Sequence, residues 1–293
     1  MPESETLYVR QSALKKFKRC RRSWWLLYHR ELTLPPSPTP EKGQRQLGTL
    51  VHKCLENWNT GEDPYAPIAE FERDLAETAA VFGETDIHPD HVKNLSLARL
   101  MVEGYIEWEE TDGARPHEEV VAVEKQIELP LGRFGDHDVV LTGRIDRVLL
   151  DTFSGDHIVD DYKTVANFDK GQEFWIDDQL LTYAWMLRET DGLTVRTGRH
   201  TMLRKVGRSA RAKPPFYARE DVYINDAMIE AAAAHTHDIV RDMVTALENE
   251  SLYPNPTRDC SWDCDALPVC SMFDDGSDAE AMIQQVYVRR ESK

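Results

Sequence analysis

Between Glu118 and Val165 the chain runs through three stretches rich in β-branched residues, EEVVAVEKQIELPL, DVVLTGRIDRVLLD and DHIVDDYKTV. The last two are joined by TFSGD, a cluster of turn formers, so the pair reads as a strand–turn–strand hairpin. EFWIDDQLLTYAWMLRE follows with helical character, and a further strand is expected near VRTGRHTMLRKV. The order strand, strand, strand, helix, strand predicts an α/β core, a mixed sheet with flanking helices. Within that hairpin Asp146, Asp161 and Lys163 occupy positions where apolar side chains would ordinarily pack.

Upstream the pattern is helical. Ser12 can cap a helix through ALKKFKRCRRSWWLLYHR, which LPPSPTP ends. In RQLGTLVHKCLENWN the residues Leu47, Leu50, Val51, Cys54, Leu55 and Trp58 form one apolar stripe, with His52 beside it. Two more helices are expected over roughly 67–83 and 90–110. Downstream, a basic loop, a possible short strand and a helix over about 225–250 lead into an irregular segment that carries cysteines. Residues 1–115, 116–250 and 251–293 are thus expected as an amino-terminal helical region, the α/β core and a Cys-rich segment with its tail. The tail after Cys270 is acidic, ends in VYVRRESK, and gives no pattern to assign.

A chain of 293 residues that is 41% hydrophobic can bury a substantial core. It has no apolar run of membrane-spanning length and its amino terminus lacks an apolar leader, so an intracellular, cytoplasmic protein with no membrane partner is expected. The formal charge of −17 argues against a polyanionic partner only on average. Residues 6–30 and 192–219 each hold eight Lys or Arg and no acid. Attraction to phosphates is local, over about 8–10 Å, so such islands can serve nucleic acid despite the total. Trp24, Trp25 and Phe216, inside or beside them, are candidate stacking partners for bases, although aromatics are more often core.

Side chains alternate across a strand, so in VDDYKT Asp161 and Lys163 share one face while Asp160 and Tyr162 share the other. If the two strands pair, Asp146 lies near Asp161. Two close carboxylates repel, and a divalent cation with oxygen ligands, Mg²⁺ or Mn²⁺, would reconcile them. A lysine beside that ion could orient or deprotonate an attacking water and offset charge at a phosphorus centre, which points to phosphodiester hydrolysis. D-x-K alone is common by chance and is equally an ordinary surface pair. Glu124 is a weaker candidate for a supporting acidic role.

GRIDR, VDDYKT and QLLTYA, in that order, resemble the motifs of the PD-(D/E)XK nuclease superfamily and of its RecB-like exonuclease branch. The resemblance implies a restriction-endonuclease-like core, with Asp146 and Asp161 as metal ligands, Lys163 as the catalytic lysine, and Gln179 and Tyr183 holding DNA or that lysine. It also implies that His52, in GTLVHKCLE, is a further ligand. The expected activity is exonucleolytic DNA hydrolysis; the alternative is a DNA-binding or assembly module with a vestigial site.

CSWDCDALPVC places Cys260, Cys264 and Cys270 together, and a four-thiolate site needs one more. Cys54 sits on its apolar stripe, whereas Cys20 lies among charges in KRCRRSW, so Cys20 is the choice. One distant cysteine and three near the end resemble the iron–sulfur subgroup of these nucleases, including CRISPR-associated RecB-like exonucleases and AddB-type nuclease domains. A [4Fe–4S] cluster is implied, with Zn²⁺ as the alternative because the spacing does not separate them. Helicase, recombination, repair or CRISPR-adaptation partners follow from the resemblance alone, as does a phage setting.

Overall fold

The computed structural model describes residues 5–35, 43–82, 89–168, 178–209 and 211–290. In chain order the elements begin with β1 (Glu5–Arg10), α1 (Gln11–Arg19), α2 (Arg21–Trp24) and, after a π-helical turn at Trp25–His29, β2 (Leu32–Thr33). Three long helices follow, α3 (Gly43–Thr60), α4 (Ala66–Phe82) and α5 (Pro89–Glu110). The sheet strands are β3 (Glu118–Phe134), β4 (His137–Asp151) and β5 (His157–Val165), then α6 (Gln179–Asp191), β6 (Val195–Arg204) and β7 (Tyr217–Tyr223). The chain ends with α7 (Asp226–Glu248), short helices α8 (Cys260–Asp263), α9 (Leu267–Cys270) and α10 (Met272–Asp275), then α11 (Ala279–Val286) and β8 (Val288–Arg289).

Two compact units are assembled from interleaved stretches of chain. One comprises 1–37, 128–143 and 233–293; the other comprises 38–127 and 144–232. These divisions differ from sequence boundaries at 115 and 250, because pairing of distant segments builds each unit and composition along the chain does not record it.

In the second unit β5 is the hub of a mixed sheet. Its first half pairs antiparallel with the end of β4, Arg147 opposite Asp160, and its whole length pairs parallel with β6. β7 then pairs antiparallel with β6. Helix α6 makes the crossover that a parallel pair requires. Helices cover both faces. Leu180 of α6 lies against Gly198, where a Cβ would come within 3.1 Å, so glycine allows the close approach. On the other face α3 and α5 bury Val51, Leu55, Ala98, Met101 and Tyr105 against Tyr162 and Leu203. The apolar stripe of α3 is this contact, with Cys54 fully buried in it. Burial pushes the Cys54 thiol up to about 12, so it behaves as a small hydrophobe.

The first unit departs most from expectation. β1, unread in the sequence, pairs parallel with the opening half of β4. The helix expected to begin at Ser12 begins at Gln11, straight from extended Arg10, and Ser12 makes no cap. It also breaks at Cys20, which is extended and whose Sγ accepts the Ser23 N–H at 3.5 Å. The break lets Trp24 fold back edge-on against Phe17, ring centres 5.1 Å apart. The unassigned tail supplies α11 and β8, whose Val288–Arg289 pairs antiparallel with Leu32–Thr33. Leu26, Leu27, Val269, Ile283 and Tyr287 form the small core under that pairing.

Candidate active site and cysteine segment

The alternation along β5 sorts its polar residues. Asp160 is fully buried on the α3/α5 face, where it accepts from Arg147 Nη2 at 2.6 Å and Thr201 Oγ1 at 2.7 Å. Asp161 and Lys163 take the α6 face. Lys163 Nζ lies 2.6 Å from Asp161 Oδ2, and the Gln179 amide bridges both, donating to Asp161 Oδ1 at 3.0 Å while its Oε1 accepts from Lys163 at 3.4 Å. Burial alone would raise the Asp161 pKa; the Lys163 ammonium and His200 overcome it and hold the group at about 2. Gln179 also donates to the Tyr183 hydroxyl at 3.3 Å, which burial pushes up to about 12, so Tyr183 is a neutral support.

Asp146 stands one residue before Arg147, the first β4 residue paired with β5, and its Oδ2 accepts the Tyr162 backbone N–H at 2.8 Å. His52 reaches across from α3, Nδ1 at 3.3 Å from the same oxygen. Burial opposes a charged His52, but Asp146 and then Asp161 raise its pKa overall. The expected ligands thus fall into two sets, His52 with Asp146 and Asp161 with Lys163. Among the described residues no three His, Cys, Asp or Glu side chains are gathered tightly enough to hold a metal ion as they stand. Two close carboxylates repel, and here each has its own partner, His52 for Asp146 and Lys163 for Asp161. By chemistry the donors nonetheless fit a hard divalent cation: two carboxylates, one imidazole, and a buried Asp161 Oδ2 that is ion-paired without an aligned hydrogen bond.

Glu124 belongs to this neighbourhood more firmly than its sequence suggested. It has a left-handed backbone, φ 47°, in mid-strand, and its Oε2 lies 2.8 Å from Arg144 Nε. Burial, then the negative charge of Asp146, pushes its carboxyl up to about 7. A carboxyl raised in the folded state adds stability that is fully present below its unfolded value and is lost as pH rises through the folded one. The metal-free protein is therefore expected to lose stability between about pH 4.5 and 7 on this account. Glu124→Gln should flatten that slope and raise the melting temperature above pH 7 by roughly 2–4 °C. Parallel melting curves for the two proteins across pH 5–8.5 would contradict it.

His200 was missed by sequence reasoning. It is fully buried on β6, paired in register with Asp161, with Nδ1 3.4 Å from Asp161 Oδ2. RHT in the middle of a strand gave no signal, since three consecutive polar residues ordinarily mark a surface.

Much of each basic island is engaged inside the fold. In the first unit Arg19 pairs with Asp263 at 2.7 Å, Arg22 with Asp274 at 2.5 Å and Arg30 with Glu280 at 2.7 Å. In the second, Arg199 joins Glu118 and Asp221, and Arg219 joins Glu109. The sequence hid this because the partners of the first island lie some 240 residues away. The stacking candidates are likewise occupied. Trp24 is 2% exposed, Arg30 covers Trp25, and Arg208 lies 3.5 Å over Phe216.

The five cysteines carry no disulfide. Cys20 Sγ accepts from Ser23 N and from Asn255 N at 3.4 Å, and Cys260 Sγ accepts from Thr257 N at 3.4 Å. Burial raises the Cys270 thiol; Arg22 counters it, and Cys20 and Cys264 stand near enough to add to the rise. The four are brought into one unit, yet not drawn together as a metal-holding group.

A mixed sheet flanked by helices, with Asp-x-Lys on its central strand and a second aspartate on the neighbouring strand, defines a restriction-endonuclease-like nuclease fold. The family model for the PD-(D/E)XK nuclease superfamily matches residues 9–271, and the chain belongs to that family. No curated protein matches the sequence. Among solved structures, a candidate exonuclease from Eubacterium rectale is similar over 89% of this chain and 87% of that one, at 12% identity and TM-score 0.53. The crystal structure of SSO0001 is similar over 67% of this chain and 79% of that one, at 16% identity and TM-score 0.35. No helix among the described residues is long and apolar enough to cross a membrane.

Proposed function

We propose that this nuclease is a metal-dependent DNA exonuclease of the RecB-like branch, in which His52, Asp146 and Asp161 hold Mg²⁺ or Mn²⁺. The observation that carries the reading is the Lys163–Asp161–Gln179 cluster beside Asp146 and His52. The ion would supply Lewis-acid polarisation of the scissile phosphate. Lys163 places a positive charge where negative charge grows at phosphorus and can orient the attacking water. Gln179 bridges Lys163 and Asp161 and so limits the directions the ammonium can take. The loop after β6, with Lys205, Arg208, Arg211 and Lys213, leaves the sheet at the end where β5 presents Lys163 and can guide a phosphate backbone. Exonuclease is also how the Eubacterium rectale neighbour is described, although a likeness at 12% identity bears on the fold alone.

The finer reading includes a [4Fe–4S] cluster on Cys20, Cys260, Cys264 and Cys270. Backbone N–H donors at two of the sulfurs and the shared neighbourhood of Cys20, Cys264 and Cys270 support it. The three-part division at 115 and 250 stays part of this reading, with the cluster segment closing onto the amino-terminal region. An intracellular setting and a helicase, recombination or CRISPR-adaptation partner are further proposals. End-labelled linear DNA and covalently closed circles, with Mg²⁺ or Mn²⁺, test the activity. Digestion from ends that stops with chelator is expected; efficient cutting of circles would overturn the exonuclease reading. Brown anaerobic protein containing iron is expected, and colourless protein with stoichiometric zinc would replace the cluster.

A further inference from the structure

Asp161 faces conflicting demands if the nuclease reading holds. Its carboxylate is 6% exposed and is neutralised chiefly by Lys163, on the same strand two residues away. Yet Lys163 serves the reaction only if its ammonium can turn toward phosphate or water. When it turns, a nearly buried carboxylate would lose its main partner and could rotate after it, away from a cation shared with Asp146.

We propose that His200 is the positioning residue that prevents this, holding Asp161 Oδ2 through its Nδ1–H while Lys163 acts. The inference rests on the proposed nuclease site. Three features of the structure carry it. His200 is the strand neighbour of Asp161 in the parallel β5–β6 ladder, so backbone pairing fixes the distance between them. It has no exposed surface, so it holds its place without water. And Asp161 has neighbours on three elements: Oδ1 accepts from Gln179 of α6 at 3.0 Å, Oδ2 lies 2.6 Å from Lys163 Nζ of β5, and His200 Nδ1 of β6 stands 3.4 Å from Oδ2 without an aligned hydrogen bond. Of these only Lys163 has a reason to leave. The 3.4 Å separation is long for a hydrogen bond, as such contacts commonly are before substrate and ion draw a site together.

The rest of β6 separates this role from mere packing. Thr201 points to the opposite face, where its hydroxyl supports Asp160. Thr201→Val therefore perturbs the same buried strand without touching Asp161, and serves as the control. Asparagine carries an N–H close to where histidine has Nδ1, whereas glutamine carries one close to Nε2. The test compares wild type with His200→Phe, His200→Asn, His200→Gln and Thr201→Val. It measures DNA cleavage over a Mn²⁺ titration, together with DNA binding in Ca²⁺ and thermal melting.

Loss of the N–H in His200→Phe is expected to raise the Mn²⁺ midpoint about tenfold and lower kcat roughly 10–100-fold, the usual cost of removing a partner that orients a ligand. KM for DNA should stay near wild type. His200→Asn should recover most of the loss and His200→Gln little of it. Thr201→Val should lower the melting temperature and leave the Mn²⁺ midpoint unchanged. If His200→Phe does not fold, the Asn and Gln variants decide by themselves. Wild-type midpoints in His200→Phe, or equal midpoints in the Asn and Gln variants, would overturn the positioning role. No cleavage by wild type with any divalent ion would instead remove the nuclease reading on which it rests.

Discussion

Lys163→Ala is expected to lower DNA cleavage by about 10³-fold, the scale of removing a preorganised charge from a developing oxyanion. The side chain is 31% exposed, open to substrate yet tied at its head to Asp161 and Gln179. Its removal deletes the charge intended for the transition state and the main partner of a buried carboxylate. Asp161 then moves toward its ordinary pKa, because burial, the opposing influence, is no longer outweighed by Lys163. A second signature follows from this. At neutral pH the carboxylate stays ionised and no ammonium 2.6 Å away competes for it, so the variant should need less metal for its residual activity. Lys163→Arg keeps the charge but spreads it over a planar fork that does not fit the Gln179 bridge, and should recover less than a tenth of wild-type activity. Single-turnover cleavage of end-labelled DNA at saturating Mn²⁺ measures both variants. Lys163→Ala activity within tenfold of wild type would mean that the ammonium is not part of the chemistry.

How far the site could be read in advance follows from the periodicities that place it. The two-residue period of a strand is short-range and strict, so VDDYKT alone put Asp161 and Lys163 on one face and Asp160 on the other, as they stand in the structure. The four-residue spacing of Gln179 and Tyr183 on one helix was legible for the same reason, and their side chains meet at 3.3 Å. The first residues of that helix as expected, 173–177, lie outside the described residues. What escaped was what long-range contacts decide. His200 stands beside Asp161 by register with a strand some 40 residues earlier, and nothing local to GRHTML records that register. The basic islands looked free for phosphate because Asp263, Asp274 and Glu280 are remote in sequence and close in space. β2 and β8 are two residues each, too short for any periodicity to show. Glu124 looked like an ordinary strand-edge glutamate, since neither its left-handed backbone nor the proximity of Asp146 is visible in VVAVEKQIEL.

Arg147→Ala is expected to be the most destabilising single change considered, at about 3–5 kcal/mol, and to act through stability instead of chemistry. Arg147 is 2% exposed and directs Nε and Nη2 at Asp160 Oδ2, at 3.2 and 2.6 Å. Its other arm reaches Asn59 Oδ1 and Glu109 Oε1 at 3.4 and 3.5 Å, and its plane lies 5.2 Å from the centre of the Tyr162 ring. Asp160 has no access to water, so truncating the arginine leaves it with the Thr201 hydroxyl as its one remaining hydrogen-bond partner among those described. The pair itself need not add net stability, because both charges were desolvated to form it. Replacing both, as Arg147→Met with Asp160→Leu, should therefore cost less than Arg147→Ala alone, and urea unfolding of the three proteins measures the difference. The pair lies on the α3/α5 face of β5, behind Asp161 and Lys163. Activity per folded molecule of Arg147→Ala should hence stay within a few-fold of wild type while the folded fraction falls. A large loss of turnover in protein that is still fully folded would show that the two faces of β5 are coupled, and that the buried pair tunes the carboxylate on the other side.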